Sequence, residues 1–571
     1  MSIHIRWQAL LITLGVALLV IVLVYQAIGL TTILVPAEGG IYIEGLAGSP
    51  QYLNPLLSVY NDVDRDLVSL IFNGLVRLDV GGKPAPDLAS RWEISPDGRA
   101  YTVTLRTDVR WQDGVPFTAD DVLFTVDLLQ DPGYTGPADI AQFWRQVKVE
   151  ALRSDVVRFI IPEPFAPFLD YLTIGLLPQH ILKGVSASEL PGHPFNTRPI
   201  GTGPFVVEEV VNAGGHISQI TLSANPTYSG RRPYLSKIAF RFYPDHASVV
   251  AAYQAGEIQG IGRVLPSDLA RVRAEPHLNL FSALSSEMTL IFLRLDDPNV
   301  AFFQDRRVRQ ALLYGLDRQA LIDRVLDGQG AVANSPILPG SWAHDPGVPA
   351  YPYDPERAAA LLNEVGWTLP RSSGEVEGQD AGSIQAQGRM RQRDGNEMVF
   401  ALSVADDPLH RALAEEIVHQ WRNLGIAANV QVIPPGEFHA VLAERRFQAI
   451  LVDLEVPGDP DPYVFWHESQ IEHGQNYAGL KSRTLSEIVE QARRATDQAQ
   501  RAALYQRFQT LFAEQVPALL LYYPVYTYAV DEKVGGVQIR PLNAPSDRFR
   551  NIADWYVVRR RVVISQSGRR G

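Results

Sequence analysis

Apolar and polar positions change period several times along this chain. From Gln8 to Val35 they are apolar almost throughout, interrupted by Thr13, Gln26, Thr31 and Thr32. As a helix this stretch is about 40 Å long, enough to cross a bilayer with some tilt. Beyond it, shorter periods take over. Ile41 to Gly45 reads as a first strand, and Val63, Leu67, Leu70 and Ile71 recur at helical spacing. Trp92-Glu93-Ile94 and Tyr101 to Leu105 read as two strands. Between them, Ser95-Pro96-Asp97-Gly98 has Pro and Gly where a tight turn wants them. Thr118-Ala119-Asp120-Asp121 then reads as a capping box opening a helix with Val122, Val126 and Leu129 on one face. Asp131-Pro132-Gly133 stops it.

The second half repeats the mixture. Val308, Leu312 and Leu316 share one helical face, and Leu321, Ile322 and Val325 another. A helix over 412–424 leads into a strand over 426–433, and 487–516 supplies two helices. Residues 519–528 form a strongly aromatic strand. Strands and helices alternating in this way predict an α/β architecture with mixed sheets.

Composition narrows the setting. A chain of 571 residues is too long for one core and predicts two or three domains. The net charge of −12 argues against nucleic acid as a partner. There is no cysteine, which excludes disulfides, thiolate metal sites, a Cys nucleophile and a lipid on an N-terminal Cys. Arg6 precedes the apolar span, and the next basic residue is Arg65. The positive-inside rule then places the N-terminus in the cytoplasm and the bulk of the chain outside. A signal-peptide core is shorter and no convincing small-x-small cleavage site follows, so residues 8–35 are expected to be an uncleaved membrane anchor rather than a cleaved signal peptide. The Gly-rich stretch 37–49 serves as a short tether. Residues 371–397 are a low-complexity insert with little to bury. Arg559-Arg560-Arg561 and Arg569-Arg570 mark a basic tail; such a run can touch anionic lipid headgroups, but a solvated tail is the expectation.

Catalytic signatures are missing. His467-Glu468 opens like a zinc-protease helix, but no second His follows at the required spacing. No Gly-x-Ser-x-Gly elbow is present. Asp459-Pro460-Asp461-Pro462 lacks the Gly and distal Glu of a calcium loop. Gly201-Thr202-Gly203-Pro204-Phe205 has neither the third glycine nor the free N–H groups of a phosphate loop. Neither a cofactor nor a metal site is expected.

The wording of several segments is more informative than their periodicity. The run from Gly74 to Leu129, with PAPDLASRWEISPDGRAYTVTLR and WQDGVPFTADDVLFTVDLL, resembles the extracytoplasmic solute-binding proteins of the peptide/nickel type (family 5), which deliver substrates to ATP-binding-cassette importers. Leu53-Asn54-Pro55, Pro178 to Leu182, Pro199 to Phe205 and Asp459 to Pro462 continue the likeness, which spans roughly 40–555. It implies a two-lobed periplasmic-binding-protein-like fold with an extra small subdomain. The main part of the first lobe would hold 37–60, 199–290 and 518–558, and its small subdomain 61–198. The second lobe would hold 291–517, with a hinge near 290–295 and 519–523. Residues 1–36 and 559–571 stand outside as anchor and tail.

The resemblance also implies a site. Tyr60 and Asn61 align with residues whose backbone contacts ligand, and Tyr134 is a further candidate. In the second lobe the family segment ending in DPDP lines the cleft, which puts forward Asp453, Glu455, Asp459, Asp461, Tyr463 and Trp466. The carboxylate that peptide-binding members place just before that motif is Val456 here; Asp453 and Glu455 are near it but out of register. The implied function is capture of a peptide or similar small solute for delivery to permease subunits. A sensory receptor without a transport role, a nickel or haem receptor, and a hydrolase are the alternatives.

Overall fold

The computed structural model describes residues 3–79, 81–370, 389–456 and 458–563. One mixed sheet runs through the whole body. Its order is Ala427–Ile433, Val399–Ala405, Ala449–Glu455, Glu287–Leu293, Ala518–Asp531, Gly260–Ile261, Ile41–Ala47, Lys237–Tyr243, His216–Ala224 and Phe205–Ala213. The central strand, Ala518–Asp531, belongs to both lobes. Its first half pairs with Glu287–Leu293 through Ala518 to Tyr522, and its second half with Leu278–Leu284 through Val525 to Asp531. Pro524 sits at the changeover, and its carbonyl accepts from the amide of Ser285 at 2.9 Å. Proline has no N–H, so the ladder loses a donor there. The strand partners change between Tyr522 and Val525, beside the 519–523 segment expected to take part in the hinge. Leu290, Ile291, Leu519 and Leu520 are buried in the second lobe.

Alternation explains how the second lobe covers both faces of its sheet. Ile291, Leu293, Ala449, Leu451, Leu519 and Leu521 point to one core, and Leu290, Phe292, Ile450, Val452 and Leu520 to another. The first lobe buries a separate core that includes Tyr42, Leu67, Ile71, Phe240, Tyr528 and Trp555. A four-stranded antiparallel sheet, in the order Ala89–Ile94, Ala100–Leu105, Val156–Ile160 and Lys148–Arg153, packs beside it. The helix Ala119–Gln130 opens as its capping box predicts, with the Asp121 carboxylate accepting from the Thr118 amide at 2.9 Å.

One buried ionic cluster fixes the helix that reaches the cleft. Arg548 donates to Glu44 on the central sheet and to Asp66 on the helix Asp62–Ile71, each at 2.6 Å. All three are almost fully enclosed, which holds the helix to the sheet in one register. Asp64 on the same helix accepts from the amides of Gln51 and Tyr52 and so ties down the segment leading into Leu53-Asn54-Pro55.

The chain ends differ from expectation. A helix spans Ile3–Thr31, and its described apolar residues from Leu10 to Leu23 carry large exposed side chains such as Leu14, Leu18 and Ile21. Among the described residues, no helix is long and apolar enough to cross a membrane. The run Arg559-Arg560-Arg561, expected as a solvated tail, lies on a strand, Val558–Val563, that pairs antiparallel with Thr32–Ala37. The β-branched residues Val558, Val562 and Val563 around the arginines favour that extended pairing. Residues 564–571, and 371–388 of the insert, lie outside the described residues. The end of the insert returns to the core, where Arg391 donates to the carbonyls of Leu424 and Trp367.

Candidate ligand-binding site

The sheet face that buries Ile291, Leu293, Ala449 and Leu451 continues toward the cleft with polar residues. Leu454 is buried while Asp453 and Glu455 on either side point out, as a period of two requires. Across the antiparallel pair, Glu287 stands opposite Glu455 and Thr289 opposite Asp453, and Tyr522 stands beside Thr289. Cross-strand partners share a face, so these side chains form one polar patch. Thr289 Oγ1 donates to Asp453 Oδ1 at 2.5 Å.

His410 completes the patch from the helix Pro408–Asn423. Its Nε2 lies 3.2 Å from Asp453 Oδ2 and its Nδ1 2.7 Å from Asp407 Oδ2. Asp407 also caps that helix, accepting from the His410 amide at 3.0 Å. Burial opposes the imidazolium, but the Asp453 and Asp407 carboxylates outweigh it and raise His410 to about 9. Partial loss of solvent raises Asp453, but the pairing with His410 outweighs it and holds the carboxyl below its ordinary range, with 38% of the side chain still exposed. At neutral pH the group is an imidazolium between two carboxylates.

The facing lobe contributes Arg65. Its guanidinium reaches Glu455 Oε1 at 2.9 Å and also pairs with Asp62. Arg263 lies 3.9 Å from Glu287. Carboxylates from Asp62, Glu287, Asp407, Asp453 and Glu455 thus outnumber the cations of Arg65, Arg263 and His410 in this part of the cleft.

The lobes also meet around the segment from Val456 to Trp466. The Val456 amide donates to Ser286 O at 2.8 Å, which hangs the segment from the crossing strands. Gly458 passes so close to the first lobe that a Cβ there would stand 2.4 Å from Leu78 Cδ1 and 3.1 Å from Asp170 Oδ2. Burial, then the nearby Asp459 carboxylate, pushes Asp170 up to about 7. Val456, Gly458 and Pro460 line an interlobe cavity of about 40 Å³ with Leu284, Ser285 and Asn543. Asn543 also lines a cavity of about 700 Å³ within the first lobe, shared with Asn73, Asp87 and Tyr228.

The expected site residues divide between these settings. Asp453 and Glu455 lie on the open polar face. Tyr60 is 75% exposed. Asn61 caps the helix Asp62–Ile71, its Oδ1 accepting from the Val63 amide at 3.0 Å. Tyr134 is buried, its hydroxyl donating to Leu56 O at 3.2 Å behind the Leu-Asn-Pro turn. Asp459 accepts twice from Arg501, at 2.7 and 2.8 Å, and Asp461 accepts from Arg493 at 2.5 Å. Both carboxylates therefore turn toward the helices Arg483–Arg494 and Gln498–Gln515. Tyr463 stacks on His467 and lies under the Arg493 guanidinium, 3.7 Å from its ring centre. Trp466 is 1% exposed and packs against Phe292 and Phe512.

Comparison with known proteins shows what kind of cleft this is. The pattern of the bacterial extracellular solute-binding proteins, family 5, middle region, matches residues 83–474. The chain belongs to this family. As a family 5 solute-binding protein it is 28% identical over 536 residues to the oligopeptide-binding protein AppA of Bacillus subtilis, covering 92% of this chain and 93% of that protein. The solved structure of AppA with a nonapeptide matches at a TM-score of 0.71 and 27% identity, over 92% of this chain and 100% of the other. The dipeptide-binding protein of Escherichia coli is 28% identical over 89% of this chain and 93% of its own. NikZ from Campylobacter jejuni, solved with Ni(L-His), matches at a TM-score of 0.72 and 26% identity, over 90% of this chain and 99% of the other. These relatives are solute-binding proteins.

Sequence reasoning had not singled out Arg65, Glu287, Thr289, His410 or Tyr522 in this family 5 protein. Asp407-Pro408-Leu409-His410 does read as a helix start with a capping Asp. Nothing in that spacing brings Asp453 beside it.

Proposed function

We propose that this protein is an extracytoplasmic receptor that closes its two lobes on a peptide and delivers it to the permease of an ATP-binding-cassette importer. The observation that carries the reading is the single strand, Ala518–Asp531, shared by both lobes. With family-wide likeness over 92% of the chain to a protein solved around a nonapeptide, it supports a cleft that opens and shuts. Ligand binding would stabilise the closed form through differential affinity, with no bond made or broken.

Within the cleft, the outward acids Asp453, Glu455 and Glu287 are our candidates for the ligand's ammonium group, and Tyr60 for a wall on the facing lobe. Asp459 and Asp461 support the site indirectly, by fixing the segment that carries Val456 and Gly458. We take 37–60, 199–290 and 518–558 as the main part of the first lobe, 61–198 as its small subdomain and 291–517 as the second. The helical part of the 8–35 span, which ends at Thr31, anchors the chain in the membrane, with the body outside; the exposed apolar side chains from Leu10 to Leu23 support this.

Native mass spectrometry of the gently purified full chain, followed by denaturation, tests the reading. Release of a mixture of short peptides supports it. A single metal complex or non-peptide mass would keep the receptor and replace the peptide. An empty protein that gives no thermal shift with peptide libraries would favour a sensory role.

A further inference from the structure

The pairing of the two chain ends creates a surface that solute capture does not use. Thr32–Ala37 follows directly from the apolar helix Ile3–Thr31, and Val558–Val563 pairs along it from Thr32↔Val563 to Ala37↔Val558. The register sets Arg561 opposite Leu34, Arg560 opposite Val35 and Arg559 opposite Pro36. All three arginines are exposed. Among the described residues none of them has an acidic partner; Arg559 lies over the ring of Tyr556. Exposed apolar residues accompany them: Ile33, Leu34, Val558 and Val562 are 51%, 58%, 37% and 39% exposed.

Distance along the strand places this cationic ribbon. At about 3.3 Å per residue, Leu34 and Arg561 lie no farther than about 10 Å beyond the helix end, and Pro36 and Arg559 no farther than about 17 Å. A bilayer's headgroup zone extends roughly 5–8 Å past the hydrocarbon on each side, and charges are felt over a further Debye length of about 8 Å. Arg561 and Arg560 therefore stand within reach of lipid phosphates wherever the helix crosses a membrane, with Arg559 at the edge of that zone. Guanidinium groups suit phosphate oxygens, and the interleaved Ile33, Leu34 and Val562 suit the apolar edge below them.

We propose that the ribbon formed by Thr32–Ala37 and Val558–Val563 is a membrane-surface contact that binds anionic phospholipid headgroups through Arg559, Arg560 and Arg561. The C-terminus would then hold the receptor to the bilayer a second time, beside the helix. The proposal rests on reading the helix as the anchor. Three arginines at a charged surface would strengthen partition into anionic over neutral membranes on the order of 100-fold.

The chain has no cysteine, so a single Val562→Cys in the full-length protein carries a dye sensitive to its surroundings. The labelled protein is reconstituted in phosphatidylcholine discs with and without phosphatidylglycerol, and alkaline extraction reports separately whether the helix is inserted. The expected result is a blue shift only with phosphatidylglycerol, abolished by high salt and by R559Q/R560Q/R561Q, with unchanged thermal unfolding in that variant. Equal emission in both lipids, from protein that resists extraction, would overturn the proposal. Protein that is extracted yet binds phosphatidylglycerol vesicles through the three arginines would keep the ribbon and remove the anchor. Protein that is extracted and ignores both lipids would remove both.

Discussion

Arg65 on one lobe and Glu455 on the other are joined by a hydrogen bond of 2.9 Å across the cleft. The contact looks like a clasp, but its exposure limits its strength. The Glu455 side chain is 55% exposed and that of Arg65 25%, so water and salt screen the pair. Glu455→Gln should therefore shift the open–closed equilibrium of ligand-free protein by less than about fivefold, and less at high salt. Single-molecule energy transfer between dyes on the two lobes measures this. A larger shift would mean that the pair itself drives closure.

Asp459 is in a different position, enclosed and held twice by Arg501. Asp459→Asn removes the charge that compensates a buried guanidinium, and should destabilise the fold by about 3–5 kcal/mol. Asp453→Asn, on the outward face, should cost less, about 1–3 kcal/mol through the charge it takes from His410, and should also weaken ligand binding. Denaturant unfolding and calorimetric titration of the two variants separate structural from binding acids.

His410 makes stability depend on alkaline pH. Its folded value of about 9 lies above the ordinary 6.5, so the folded chain holds a proton that the unfolded chain releases. This contribution is complete below about pH 6.5 and disappears as pH rises through about 9. His410→Gln should flatten thermal stability across that window. An unchanged pH profile in the variant would remove His410⁺ from the account.

Asp170 acts with the opposite pH dependence from a paired acid. Burial favours its neutral form, so the folded chain keeps a proton up to about 7 that the unfolded chain loses near 3.8. Its contribution to stability is present in acid, below about pH 4, and weakens progressively as pH rises through 7. Asp170→Asn should remove that dependence and stabilise the fold at neutral pH. Denaturant unfolding of the variant, run as a pH series, decides it.

How far the sequence could be read depends on the range of each interaction. The helix after Thr118 was legible because its cap, apolar face and stop lie within a few residues. The outward direction of Asp453 and Glu455 rests on equally local alternation with Val452 and Leu454, although the sequence put them forward only through the family resemblance. Their partners were not legible. Thr289, His410 and Arg65 come from strands and helices far away in the chain, and only the sheet order brings them together. Asp459 and Asp461 stood out as a motif, yet their direction is set by Arg501 and Arg493, on helices that begin more than twenty residues later. Aromatic residues read the same in a core or a pocket, so nothing local told that Trp466 would be enclosed by Phe292 and Phe512. The end ribbon was hidden for a simpler reason: its two strands are separated by almost the entire sequence.

Pro524 gives the molecule mechanical compliance at a chosen point. A strand bonded along its full length would resist bending, because every swing would strain rungs on both sides. At this one position there is no donor to strain, although the Pro524 carbonyl still accepts from Ser285 and Gly330–Val332 pairs alongside from Tyr522 to Pro524. On the proposed reading, a swing of the lobes would fall on a few backbone torsions near Ser285 and Pro524. The free-energy difference between open and shut is then left to the groups that line the gap, which lets a modest ligand decide the outcome.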